Sequence, residues 1–167
     1  PWMAGLVLCI MASLAGVPDL DRWMRIVAPD RVEVHTGKVE LGQGILTALA
    51  AVAADELGVD PARIDLVSGV TGTTPNEWVT AGSGSIEQSA MAVRQACAHA
   101  RRVLVTRAAD RLRVDARELT VEDGRVTGPA GRAVTYWELA AGRPFGVTVD
   151  EPTDAVLDDR AQAVQAS

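Results

Sequence analysis

The chain has 167 residues, enough for one domain with a real hydrophobic core and short for two. Apolar residues make up 48% of the sequence and charged residues 23%, which is typical of a globular chain and excludes an intrinsically disordered one. The net charge of −6 argues against nucleic acid as a partner, because phosphate backbones are bound by basic surfaces.

Residues 1–18 form an uncharged apolar segment, "PWMAGLVLCIMASLAGVP". No basic stretch precedes it, glycines and prolines interrupt it, and its length is at the lower limit for crossing a bilayer. Two interpretations stay open: a segment covered by the core or by a partner, or a targeting or membrane segment.

Two strands are predicted next, over Trp23 to Val27 and Arg31 to Thr36, around a turn at Pro29-Asp30. The second, "RVEVHT", alternates polar and apolar residues with the period of two that a half-buried strand requires. A further buried strand is expected from Ile64 to Val67, after a short helical turn opened by Asp60-Pro61.

A helix is predicted over residues 44–57, between the second and third strands, and Gly58 closes it. Its apolar residues follow helical spacing: Ile45, Leu49, Val52, Ala53 and Leu57. Just before it stands the triplet Gly42-Gln43-Gly44.

A loop of about 17 residues, from Gly69 to Ser85, separates the third strand from a second helix. Loops of this length in compact domains are usually functional or disordered. The pattern Ser85-Ile-Glu-Gln88 is a capping box and predicts that the helix begins near Ser85 and runs for about 27 residues. Its apolar stripe contains Ile86, Ala90, Val93, Cys97, Ala100, Leu104, Ala108 and Leu112.

Short elements complete the domain. Asp115 to Glu118 is expected to form a capped turn, and "LTVEDGRVTG" a hairpin around Asp123-Gly124. Thr135 and Glu138 form a second capping box before a short helix that ends near Gly142, and Phe145 to Val149 is expected to be a last strand. The prediction is an α+β domain over residues 19–149, with a mixed sheet packed by two main helices and an acidic tail from residue 150.

The starts of both main helices are rich in small and polar residues. The first follows Gly42-Gln43-Gly44, and the second follows Ala81-Gly82-Ser83-Gly84-Ser85. Glycine allows close approach to the backbone, and first-turn amides favour an anion such as phosphate. These segments are either a cradle for a polar, phosphate-bearing cofactor or two tight strand-to-helix turns.

Other kinds of site receive little support. The third glycine of a dinucleotide fingerprint is missing after Gly42 and Gly44, and no Walker sequence is present. Cys9 and Cys97 form no CxxC or Cys/His cluster, so side chains are not expected to bind a metal, and both thiols are expected to be buried. The remaining candidates are expected to have structural or solvated roles: His35, His99, Asp55, Glu56 and Glu87.

Two stretches together resemble a known family. They are "HTGKVELGQGILTALAAVAADELGVDPARIDLVSG" and "TGTTPNEWVTAGSGSIEQSAMAVRQACAHAR". They are similar to the N-terminal molybdopterin-binding segment of the xanthine dehydrogenase/aldehyde oxidase family, in its branch of nicotinate dehydrogenase-like and isoquinoline oxidoreductase-like large subunits. The resemblance runs from about Leu20 to Val149.

The resemblance implies a molybdenum hydroxylase whose metal is held by the dithiolene of a pterin. It places Gly42, Gln43 and Gly44 against the pterin and metal end of the cofactor, with Gln43 as the catalytic residue. It places Thr80 to Ser85 around the pterin and phosphate groups; these residues are Thr80, Ala81, Gly82, Ser83, Gly84 and Ser85. The cytosine dinucleotide form of the cofactor is expected, since it is usual for bacterial members.

This sequence also departs from the family pattern. The Gly-x-Gly-Glu motif that carries the family's glutamate base and the Phe-Gly-Gly loop are not in these 167 residues, and family large chains are several times longer. Trp78 stands where a smaller residue is expected. The resemblance therefore implies a chain of a split enzyme or a cut domain, inactive alone. Its implied partners are a larger molybdenum chain with the base and a [2Fe-2S] subunit, in the cytoplasm or the periplasm.

Two other functions stay open at this point. A non-catalytic scaffold or interaction subunit would keep the fold but would need neither glycine-rich segment. An independent nucleotide-binding module would bind a nucleotide without a partner. Molybdenum and cytosine-nucleotide analysis of the purified complex separates the cofactor-binding component from the scaffold. Tight nucleotide binding by the isolated chain would indicate the nucleotide-binding module.

Overall fold

A computed structural model describes residues 17–27, 29–38, 40, 44–69 and 82–149, with only the backbone of residues 82–88. Residues 1–16, most of the predicted loop between the third strand and the second helix, and the acidic tail lie outside this part of the chain. No helix among the described residues is long and apolar enough to cross a membrane.

The first sheet along the chain is mixed and has three strands, in the order β1-β2-β3. They are β1 (Met24–Val27), β2 (Arg31–Thr36) and β3 (Ile64–Ser68). β1 is antiparallel to β2, and β2 is parallel to β3 with Val32 opposite Ile64. The alternation in β2 directs Val32 and Val34 into the core. All three predicted strands are confirmed.

Helix α1 (Ile45–Leu57) is the crossover between the parallel strands β2 and β3. Ile45, Leu49, Ala53 and Leu57 are buried, as the helical spacing predicts, and Gly58 ends the helix in the left-handed conformation with φ 67°. The predicted turn after α1 is confirmed as Pro61–Arg63, where the Asp60 side chain accepts a hydrogen bond from the Ala62 amide.

Helix α2 (Gly82–Leu112) has 31 residues and packs along α1. Fully buried residues follow one stripe over the described side chains: Val93, Cys97, Ala100, Leu104 and Ala108. The predicted start near Ser85 is wrong, because the helix begins three residues earlier, at Gly82. Serine is only mildly unfavourable inside a helix and glycine costs about 1 kcal/mol, so neither stops a helix that buries so long a stripe.

A second sheet is antiparallel and contains β4 (Thr120–Glu122), β5 (Arg125–Thr127) and β6 (Ala133–Thr135). β4 and β5 form the predicted hairpin, whose turn residues Asp123 and Gly124 both have positive φ. β6 was not predicted, since three residues are too few for a periodic signal. Helix α3 (Tyr136–Ala140) follows with the predicted Thr135–Glu138 capping box.

The predicted last strand from Phe145 to Val149 is wrong. Among the described residues, a single bridge forms there, between Thr148 and Asp19. It is flanked by hydrogen bonds from the Leu20 amide to Val147 O at 3.1 Å and from the Val149 amide to Pro18 O at 2.9 Å. A longer ladder is prevented because the partner segment turns into a short 3-10 helix, Leu20–Arg22. The architecture is nevertheless α+β, with the expected mixed sheet and two main helices.

Candidate functional site

The candidate site lies at the edge where β2 and β3 end. Because these strands are parallel, their carboxyl ends share one edge, and ligands of sheets with helical crossovers commonly bind there. Each strand leads into one of the two glycine-rich segments and then into α1 or α2. The Ser68 hydroxyl donates to the Lys38 carbonyl at 2.8 Å, which ties the two strand ends together.

Polar residues are buried at the end of β2. His35 is 1% exposed, Thr36 is fully buried and Lys38 is 2% exposed. The Thr36 hydroxyl accepts a hydrogen bond from the Lys38 amide at 3.1 Å, which turns the chain out of the strand. His35 Nε2 lies 3.5 Å from Glu33 Oε2, and neither ring nitrogen has a hydrogen-bond partner among the described residues. Burial of a polar side chain is costly unless it is hydrogen-bonded, which makes His35 an energetically unfavourable position among the described residues.

The start of α1 is open on one side. Gly44 is the N-cap and has the left-handed backbone with φ 72°. A Cβ at this position would meet no atom of the described residues within 4 Å, so these residues leave the backbone of Gly44 accessible to a ligand.

At the same helix start, the carboxylate of Glu40 already accepts hydrogen bonds from two of the main-chain amides. Glu40 Oε1 accepts a hydrogen bond from the Gly44 amide at 2.8 Å, and Oε2 accepts one from the Leu46 amide at 3.3 Å. The expectation that the first-turn amides are open to an external anion therefore fails for Gly44 and Leu46. Glu40 was missed by sequence analysis, although an acidic residue just before a helix is a usable signal.

Four predicted site residues occupy the first turn of α2: Gly82, Ser83, Gly84 and Ser85. Amides at this position have no acceptor within the helix, so they are directed toward a ligand or solvent. The other predicted site residues lie outside the described part of the chain: Gly42, Gln43, Thr80 and Ala81. The site roles of all these residues stay predictions.

An ion pair between a buried carboxylate and a half-exposed arginine joins the two helices behind the site. Arg94 Nε donates to Glu56 Oε2 at 3.1 Å, and Glu56 is only 2% exposed. At 1.5 Å per residue, α1 begins about 17 Å before Glu56 and α2 begins about 18 Å before Arg94. Both helix starts are therefore at similar distances from this pair. The solvated role expected for Glu56 is wrong, because its partner Arg94 is distant in sequence and gives no local signal.

The remaining predicted residues have structural positions. Cys97 is fully buried, and its burial raises the pKa of the thiol far above its usual range. His99 is 7% exposed, and Asp55 lies on the exposed side of α1. No group of three or more His, Cys, Asp or Glu side chains with the arrangement of a metal site occurs in the described part of the chain.

Comparison with known proteins identifies the family. Residues 5–158 match the molybdopterin cofactor-binding domain. A nicotinate dehydrogenase chain of Pseudomonas putida is 36% identical over 131 residues, covering 77% of this chain and 11% of that protein. The beta chain of isoquinoline 1-oxidoreductase from Brevundimonas diminuta is 36% identical over 127 residues, covering 71% of this chain and 16% of that protein.

A solved structure gives the same result. The reconstituted CO dehydrogenase from Oligotropha carboxidovorans aligns with a TM-score of 0.62 and 28% identity, covering 70% of this chain and 15% of that chain. The chain thus spans less than one fifth of each of these relatives. The resemblance predicted from the two glycine-rich stretches is confirmed. The chain belongs to the molybdopterin cofactor-binding domain family, as a segment similar to part of subunits of molybdenum-containing dehydrogenases and oxidases.

Proposed function

We propose that this chain is the molybdenum-cofactor-binding component of a molybdenum hydroxylase, an oxidoreductase that hydroxylates an N-heterocycle or an aldehyde with oxygen from water. One observation carries the proposal: the parallel pair β2 and β3 brings the carboxyl ends of two strands to one sheet edge. In the sequence, each of these strands is followed by a glycine-rich segment. The names of the relatives, a dehydrogenase and an oxidoreductase, support the reaction class.

The described residues fit a large polar cofactor. Backbone at Gly44 is open to close approach, and the first turn of α2 offers main-chain amides beside small residues. The bound molybdenum–pterin group, in its cytosine dinucleotide form, supplies the oxygen-transfer and two-electron chemistry. The protein supplies binding and orientation.

Each segment has its own part in holding the cofactor. Gly42, Gln43 and Gly44 contact the pterin and metal end, where the Gln43 side-chain amide donates a hydrogen bond. Gly44 provides open space rather than a donor, since its amide is already bonded to Glu40. The segment from Thr80 to Ser85 binds the pterin and phosphate groups through main-chain amides and serine hydroxyls.

Further chains complete the enzyme in this proposal. A larger molybdenum chain or region supplies the glutamate that removes the proton from the substrate. A [2Fe-2S] subunit carries the electrons away. The apolar residues 1–18 and the alanine-rich helix α2 suit burial against such partners, and the chain alone does not turn over substrate.

The test is purification of the native assembly, followed by analysis of its chains, its molybdenum and its cytosine nucleotide. The expected result is stoichiometric molybdenum and nucleotide with this chain present. An assembly that contains this chain but neither component would contradict the proposal and support a scaffold.

A substitution tests the role of Gln43 separately. Gln43→Ala is expected to keep assembly and molybdenum content but to lower kcat on the order of 100-fold, because a preorganised donor is lost at the reacting centre. Gln95→Ala is the matched control, since Gln95 lies about 20 Å along α2 from the helix start. Normal turnover of the Gln43→Ala assembly would reject the role of Gln43 but not the cofactor-binding function.

A further inference from the structure

A cleft of about 450 Å³ lies between the second half of helix α2 and the segment of residues 147–149. Its lining residues on the helix include two arginines and a histidine: His99, Arg102, Val103, Thr106 and Arg107. The first of them, His99, lies about 26 Å along α2 from the helix start at Gly82. The cleft is therefore separate from the candidate cofactor site.

A second cleft, of about 340 Å³, adjoins the first one and shares Arg107 with it. Its other lining residues include two more arginines: Arg111, Leu139, Arg143 and Pro144. From Arg102 to Arg111 the helix rises by about 14 Å. The two clefts, lined by four arginines, are called the basic track below.

The basic track concentrates positive charge on a chain whose net charge is −6. Two carboxylates are close to it in the fold: Asp110 is exposed on α2, and Glu138 Oε2 already accepts hydrogen bonds from the amide and hydroxyl of Thr135. The guanidinium of Arg107 is held in place, since it donates to Phe145 O at 2.9 Å and lies 5.9 Å from the centre of that ring. Clefts lined by charges of one sign focus the electrostatic potential, so this surface attracts a negative partner.

The wall of the first cleft opposite α2 is an extended segment with one free edge. Val147 O accepts from the Leu20 amide, and the Val149 amide donates to Pro18 O. Main-chain groups of successive residues in an extended segment alternate in direction, so the amide and carbonyl of Thr148 are directed away from residues 18–20. Over the residues that the structure describes, no further hydrogen bond to the main chain of Thr148 is formed. Such an edge can accept an added strand.

We propose that the basic track is a docking surface for an extended acidic segment of a partner chain. The arginines are spread along the helix and do not converge on one point, which suits several carboxylates in a row better than one small anion. Each guanidinium can bind a carboxylate through two parallel hydrogen bonds, and the main chain of Thr148 adds pairing that does not depend on side chains. The inference goes beyond the proposed function, since it holds whether or not the assembly contains molybdenum.

Photo-cross-linking in the purified native assembly identifies the occupant of the track. Benzoylphenylalanine replaces the exposed Thr106 in the first cleft and, as the control, the exposed Glu122 on β4. The expected result is a cross-link from position 106 to a segment of another chain that is rich in Asp and Glu, and no such cross-link from position 122. Inorganic phosphate in excess should reduce the cross-link no more than KCl does at the same ionic strength.

Charge reversal measures the contribution of the arginines. The Arg102→Glu/Arg111→Glu variant is expected to bind the rest of the assembly on the order of 10- to 100-fold more weakly, because two attractions become repulsions. The dissociation constant of the wild type should rise with KCl, and that of this variant should not. Arg102→Lys/Arg111→Lys keeps the charges and should retain most of the affinity.

The matched control is Arg117→Glu/Arg132→Glu, which changes the net charge equally at two exposed arginines outside the track. Thermal unfolding of each variant shows that it is folded. Equal losses of affinity in the two charge-reversed proteins would reject the docking surface, since only net charge would then matter.

Three cross-linking results would also overturn the inference. They are no cross-link from position 106, a cross-link only to residues 150–167 of this same chain, and a cross-link abolished by phosphate but not by KCl. The second would identify an intramolecular occupant, and the third a site for a small anion. Failure of the proposed function looks different, because there the assembly lacks molybdenum while the cross-link to an acidic partner segment remains.

Discussion

At the scale of single residues, Gly124 shows how closely the second sheet is fitted to the rest of the domain. It has φ 71° in the hairpin turn, its amide donates to Gly58 O at 3.1 Å, and its carbonyl accepts from the Tyr136 amide at 2.9 Å. A Cβ here would lie 2.6 and 2.8 Å from Cη2 and Cζ3 of Trp137. Glycine is therefore required both for the backbone conformation and for the contact with the indole ring.

Replacing Gly124 with alanine is expected to destabilise the protein by about 2–4 kcal/mol. Left-handed backbone strain contributes about 1–2 kcal/mol, and the clash with Trp137 adds an overpacking cost of similar size. Urea unfolding of the two proteins measures the difference. Gly131→Ala is the control, because Gly131 has φ 72° and a Cβ added there would meet no atom of the described residues within 4 Å. Equal losses in the two variants would show that the indole contact contributes nothing.

At the scale of elements, the pairing of α1 with α2 includes a charged contact inside an apolar seam. Glu56 is 2% exposed, and the Arg94 side chain that reaches it is 48% exposed. A buried carboxylate is tolerated only when hydrogen bonds replace the lost water, and one side of this pair remains open to solvent. The pair thus fixes the alignment of the two helices that begin at the candidate site.

A double-mutant cycle tests that alignment role. Glu56→Gln, Arg94→Gln and the double variant are compared by urea unfolding, with an expected coupling free energy of about 1–2 kcal/mol because the two side chains are in direct contact. Glu56→Gln keeps the shape of the side chain and removes its charge, whereas Arg94→Gln also shortens the side chain. Additive effects, within about 0.3 kcal/mol, would mean that the ion pair does not stabilise the helix contact.

Elements with local signals could be predicted from the sequence, and elements with long-range causes could not. The Asp60 cap and the Asp123-Gly124 hairpin turn are encoded by residues that touch one another along the chain. The early start of α2 depends instead on burial of the apolar stripe farther along that helix. The predicted last strand fails because its partner segment turns into the 3-10 helix Leu20–Arg22. The same difference applies to the site: glycine-rich turns are visible as patterns, whereas burial of Glu56 and the bridge formed by Glu40 require the folded structure.

At the scale of the whole molecule, Arg63 joins the two sheets. Its guanidinium donates to both carboxylate oxygens of Asp123, each at 2.8 Å, and to Asp30 at 2.8 Å. Its Cζ also lies 5.1 Å from the centre of the Trp137 ring. The turn between β1 and β2, the β4–β5 hairpin and α3 thus meet at one cation. Bidentate geometry and several partners make this network stronger than an isolated surface ion pair.

The network predicts that the protein loses stability at acid pH as Asp123 is protonated. The hydrogen bonds from Arg63, followed by the hydrogen bond from the Asp60 amide, lower the pKa of Asp123 from 3.8 to about 2. A depressed pKa in the folded state stabilises the protein above the unfolded value of 3.8, and this contribution is lost as the pH falls toward about 2.

The comparison of wild type with Asp123→Asn across pH measures this contribution. Asparagine keeps the acceptor oxygen but cannot ionise, so the wild type is expected to be more stable by about 1 kcal/mol above pH ~5, a modest value because the Asp123 side chain is 45% exposed. The difference should shrink steadily between pH ~4 and ~2, as Asp123 is protonated in the wild type. Glu122→Gln, on the neighbouring exposed position of the hairpin, is the matched control. If the difference in unfolding free energy between wild type and Asp123→Asn persists unchanged to pH ~2, the negative charge of Asp123 does not stabilise the contact between the two sheets.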